Sequence, residues 1–95
     1  MGGLGVQWAS VKYAFGMRVK VLYFGVLKDG FGREAEWLEM AEGASVADLV
    51  RVCQGRFAAA PWASVAVAVN REYVRASEVL KEGDEVALLP PVSGG

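Results

Sequence analysis

Ser45-Val-Ala-Asp-Leu-Val-Arg-Val-Cys-Gln-Gly-Arg-Phe57 is the stretch that decides the fold. Its apolar residues Val46, Leu49, Val50, Cys53 and Phe57 recur at three- and four-residue steps, which places them on one face of a helix. Ser45 stands at the N-cap and Asp48 at the third helical position, a short-acid form of the capping box. Gly55 blurs the end of this helix, and Pro61 marks a later break.

The segments on either side read mainly as strands. Before the helix, Met17 opens Arg18-Val-Lys-Val-Leu-Tyr-Phe24, where Val19, Val21 and Tyr23 share one face and Lys20, Leu22 and Phe24 the other. Lys28-Asp-Gly-Phe-Gly32 is rich in turn residues. A second strand is expected over about 34–40, closed by Ala41-Glu-Gly-Ala44. After the helix, 65–69 alternates small and β-branched residues, and 72–75 pairs with it across a tight turn near Asn70-Arg71. Residues 76–80 fit a single helical turn and 81–84 a turn. The last strand, 85–89, stops at Pro90-Pro91, because proline has no N–H to give a ladder. The order is strand, strand, helix, strand, short strand, strand. It predicts an α+β architecture: one main helix packed on a mixed sheet of about four to five strands.

Composition narrows the chemistry. The chain has 95 residues, one domain by length, with 54% hydrophobic and 22% charged residues. A formal net charge of -1 gives no basic excess for nucleic acid. No apolar run approaches the roughly 20 residues of a membrane helix. Cys53 is the only cysteine, which excludes an internal disulfide and suits a reducing cytoplasm. There is no histidine, so acid–base chemistry at neutral pH has few candidates and the common zinc sites cannot be built. No metal is therefore expected. Residues 1–16 carry four glycines and scattered aromatics without a period, and read as an extension to a domain over 17–95. The alternative is that they add an ordered strand or pack on a neighbour. They lack the pattern of a secretory leader.

The end of the chain is the sharpest feature. Gly94 and Gly95 have no Cβ, so the tip is slim enough to thread into a narrow site. Pro90-Pro91 holds it off the domain. The carboxylate of Gly95 is then the reactive group, and a poor electrophile. The chain has no phosphate-binding loop with which to use ATP, so a partner would have to activate it. Two terminal glycines alone are weak evidence, since chance or a cloning scar can supply them.

Their context is more specific. Leu89-Pro-Pro-Val-Ser-Gly-Gly95 resembles the C-terminus of the small, sulfur-carrying subunit of molybdopterin synthase. Lys20-Val-Leu-Tyr-Phe24, Val67-Ala-Val-Asn70 with Glu72-Tyr-Val74, and Gly83-Asp-Glu-Val86 agree in order and spacing. The resemblance implies a ubiquitin-like β-grasp fold over 17–95 with a flexible tail over 90–95. It implies that an E1-like adenylating enzyme activates Gly95 with ATP, and that a sulfur relay converts the carboxylate to a thiocarboxylate. Gly94 serves the threading of the tip. The tail then enters the large synthase subunit and gives sulfur to cyclic pyranopterin monophosphate. No cofactor would be bound by this chain itself. The family places an apolar docking patch at positions matching Phe24, Tyr73 and Leu89, continued by Pro90, Pro91, Val92 and Ser93. The helix that often follows the family's first strand would be short here, because Gly30 and Gly32 interrupt it. Sulfur supply for the thiamine thiazole or tRNA thiolation, a ubiquitin-like protein modifier, and a plain binding module stay open as alternatives.

Periodicity speaks to the docking patch as well. If Val19, Val21, Val86 and Leu88 face the helix, Phe24 and Leu89 face away, and large apolar residues on an outer face suggest a partner. The plainer alternative is scattered surface apolars. Cys53, on the helix face, fits a structural thiol better than a relay. Trp37 and Trp62 fit core or edge packing, and Arg18, Lys20 and Arg71 solvent. Asp84-Glu85 fits a turn running into a strand. Glu82 and Asp84 are also candidates for charge pairing with a partner, although surface pairs are weak.

Overall fold

A computed structural model describes residues 16–92. Strand β1 spans Gly16–Tyr23, helix α1 Val26–Phe31, strand β2 Ala35–Ala41 and helix α2 Val46–Arg56. A single 3₁₀ turn over Trp62–Ser64 leads to β3 at Ala66–Val69, β4 at Glu72–Tyr73 and β5 at Glu85–Leu89. The sheet order is β2-β1-β5-β3-β4. The central pair β1·β5 is parallel and the other pairs are antiparallel. A parallel pair needs a crossover connection, and α2 lies on it, across one face. The result is a ubiquitin-like β-grasp. Gly16, which the sequence assigned to the extension, pairs with Ala41; residues 1–15 lie outside the described ones.

The alternation in β1 sets the core. Val19, Val21 and Tyr23 are buried beneath α2, as are Val86 and Leu88 of β5. From the helix come Val46, Leu49 and Cys53, with Val50 and Phe57 half-buried at its margin. Removing a valine or leucine of this kind from water stabilises the fold by about 1.5–3 kcal/mol. The capping box forms: the Asp48 N–H donates to Ser45 Oγ at 3.3 Å, and the Ser45 N–H to Asp48 Oδ2 at 2.9 Å. Arg51 pairs with Asp48 one turn on.

Three readings need correction. Lys28 to Gly32, expected as a turn, belongs mostly to α1. Gly30 sits inside that helix because a Cβ there would overlap the ring of Phe57. Gly32 ends it in the left-handed conformation at φ 74°, its N–H donating to Lys28 O. Residues 76–80 form no helical turn. They run past the start of α2, where Glu78 O and Ala76 O accept from the Val46 and Ala47 N–H groups at 2.9 Å each. Those N–H groups have no partner within the helix, so an extended neighbour satisfies them. The hairpin strand expected over 72–75 is shorter; only Glu72 and Tyr73 pair as strand. Asn70 and Arg71 both have positive φ, 50° and 72°, as a two-residue hairpin turn requires. Trp37 is 53% exposed on edge strand β2, with the Arg18 guanidinium 5.5 Å above its ring. Trp62, by contrast, is buried and donates from Nε1 to Phe57 O at 2.7 Å.

Candidate functional site

The register of the central strands fixes where the tail begins. Tyr23 lies beside Leu88 in the parallel pair, so Phe24 emerges next to Leu89. On the other side Leu89 pairs with Ala66 at the start of β3. Pro90 follows, half-buried, and Pro91 and Val92 are exposed. The tail therefore leaves from the middle of the sheet. Ser93, Gly94 and Gly95, assigned to the tip by the sequence, lie outside the described residues.

Around this exit runs a groove of about 610 Å³. The structure brings Phe24, Tyr73, Leu89, Pro90, Pro91 and Val92 onto its walls. Phe24 is 44% exposed and Tyr73 76%, so both offer ring surface to a partner. Gly25, Val26, Ser64 and Ala66 complete the lining and were not singled out in the sequence. Val26 could have been suspected, standing two residues from Phe24. Ser64 and Ala66 reach the groove only through the β3·β5 register, which leaves no local signal.

None of these lining residues is an Asp, Glu, Lys, Arg or His. That matches the centre of a protein–protein interface, where charge is depleted and aromatics are enriched. Among the described residues, no group of three or more His, Cys, Asp or Glu could hold a metal ion. No helix there is long and apolar enough to cross a membrane.

The groups with shifted ionisation lie within the fold. Burial pushes the Cys53 thiol up to about 11, which keeps it protonated and un-nucleophilic at neutral pH. Glu36 projects from the inner face of β2. Burial raises its carboxyl, but hydrogen bonds from Tyr23 and Arg56 and the charges of Arg56 and Arg33 outweigh that and hold it below the usual range. The Tyr23 hydroxyl donates to Glu36 Oε2 at 2.5 Å, and Arg56 Nη1 lies 3.0 Å from the same oxygen. Burial first, then the bond to Glu36, raises the Tyr23 phenol well above its ordinary value. Asp84 accepts from the Lys81 N–H at 2.8 Å and from Asn70 Nδ2 at 2.9 Å, so it fastens a turn. Glu82 accepts from the Arg18 N–H at 3.0 Å.

A model of the ThiS family matches residues 21–95. The chain is 39% identical to a Chlamydomonas reinhardtii protein named molybdopterin synthase sulfur carrier subunit, covering 83% of this chain and 100% of that one. A solved Pyrococcus furiosus structure, provisionally named molybdopterin converting factor subunit 1, is 37% identical with a TM-score of 0.71, covering 80% of this chain and 99% of that one. A Helicobacter pylori structure is a complex of subunits 1 and 2 of molybdopterin-converting factor. It is 31% identical with a TM-score of 0.62, covering 83% of this chain and 100% of that one.

Proposed function

Because the chain belongs to the ThiS family, we propose that it is the sulfur carrier subunit of molybdopterin synthase, with the carboxyl group of Gly95 as the sulfur-bearing group. The observation that carries this is the likeness, over the whole length of the Chlamydomonas relative, to a protein of that name. The uncharged groove at the root of the tail supports it, since a carrier must dock.

The chemistry follows from what the chain lacks. It has no histidine, and its single thiol is buried and protonated. An E1-like partner supplies ATP. The Gly95 carboxylate attacks the α-phosphate, pyrophosphate leaves, and the acyl adenylate makes the carbonyl attackable. A persulfide from a relay displaces AMP to give an acyl disulfide, and a second relay thiol cleaves its S–S bond, leaving a thiocarboxylate on Gly95 and a disulfide on the relay. This is a soft anionic donor for cyclic pyranopterin monophosphate in the large subunit. Two transfers build the dithiolene, and the chain returns as carboxylate for recharging. Phe24, Tyr73 and Leu89 form the docking face, with Pro90, Pro91, Val92 and Ser93 carrying the tip. No cofactor stays on this chain, and the cytoplasm is where it works.

Intact mass spectrometry tests the reading directly. After incubation with an activating enzyme, ATP and a sulfur donor, one oxygen is expected to be replaced by one sulfur at Gly95. A mass left unchanged where a control carrier is charged would sink it, and recovery of the chain on lysines of other proteins would favour a modifier. Deleting Gly95 is expected to abolish sulfur transfer with the thermal midpoint unchanged.

A further inference from the structure

We propose that Gly25 is a positioning residue. Its missing side chain lets the β1–α1 turn close against Pro90, and that contact sets the direction in which the tail leaves the sheet. The inference rests on the carrier reading above for its functional consequence, but not for its geometry.

Two independent constraints meet at Gly25. Its backbone lies at φ 54°, ψ -130°, a conformation that L side chains rarely adopt. An ideal Cβ built there would stand 3.2 Å from Pro90 Cγ, inside the roughly 3.5–4.0 Å of a comfortable carbon contact. Neither side of the contact retreats easily. Phe24 O accepts from the Leu27 N–H at 3.0 Å and Gly25 O from the Asp29 N–H at 3.3 Å, so moving the turn breaks the first bonds of α1. Leu27, fully buried, pins that helix to the core. On the other side Pro90 follows Leu89, the last residue of a strand bonded to both neighbours.

The two prolines then act as a stiff arm. Each ring fixes φ near about -65°, so a shift at Pro90 passes outward to Val92 rather than being absorbed. Gly25 and Pro90 both line the groove, at the point where the tail leaves it.

The test has a structural arm and a kinetic arm. In NMR spectra of the isolated full chain, the Gly25 Hα protons are expected to show contacts to the Pro90 ring. Gly25→Ala is expected to move the Val92 amide resonance while those of Val19 and Val86 stay in place. Pro90→Ala approaches from the other side without touching a positive-φ position, and is expected to move the Gly25 amide; it decides the matter if Gly25→Ala does not fold. In charging assays Gly25→Ala is expected to lower kcat about tenfold with KM little changed, because the docking side chains remain. The double variant is expected to be no worse than the worse single variant. Absence of the Gly25–Pro90 contact, an unmoved Val92, or losses that multiply in the double variant would overturn the proposal. A wild-type chain that cannot be charged would sink the carrier reading instead, and the NMR arm would still decide the brace.

Discussion

Glu36 shows how much one side chain can hold. It accepts from the Tyr23 hydroxyl and pairs with Arg56 and Arg33 at the margin of the core. Its carboxyl is held below the ordinary glutamate value of 4.5, so the folded state prefers it charged. The stability this supplies is present above the unfolded value and is lost as pH falls through the folded one. Glu36→Gln is expected to cost about 1–3 kcal/mol at neutral pH, and to flatten the fall of thermal midpoint with acidification in scans across the carboxylate range. Gly30→Ala makes the opposite kind of demand. The new methyl meets the Phe57 ring, and denaturant unfolding is expected to show a loss of about 1–3 kcal/mol despite alanine's better helix propensity. Glu36 and Gly30 were illegible in the sequence for one reason. Each owes its identity to residues distant along the chain, Arg56 and Phe57, which only the packing of α2 brings close.

At the level of elements, α2 was the most legible part of the chain and α1 the least. Ser45 and Asp48 announced the start of α2, and its apolar face came out as Val46, Leu49 and Cys53. Ser45→Ala is expected to destabilise the fold by about 1 kcal/mol in chemical denaturation, with α2 the first segment to lose amide-exchange protection. Helix α1 is six residues long, too short for a period, and its glycines speak against it locally. The segment 76–80 failed for a related reason. Its carbonyls serve the N–H groups of another element, a tertiary use that no local pattern encodes.

For the whole molecule, strand alternation carried most of the fold. Tyr23 and Leu88 turn inward while Phe24 and Leu89 flank the exit of the tail, and one register produces both. The groove itself was half legible. Phe24 and Leu89 followed from alternation and Tyr73 from resemblance, whereas Ser64 and Ala66 depend on how β3 meets β5. Tyr73→Ser is expected to weaken binding to the large subunit by about tenfold or more in calorimetric titration, with the thermal midpoint unchanged, since Tyr73 is 76% exposed.

The parallel pairing of β1 and β5 has a mechanical consequence. Because the two strands run the same way, Lys20, paired with Glu85, and Leu88, paired with Tyr23, lie at opposite ends of one ladder. Tension between the N-terminal end of β1 and the tail loads that ladder in shear, so its bonds resist together instead of unzipping singly. A pull on the tail with the start of β1 held is therefore shared across the four residue pairs of that ladder.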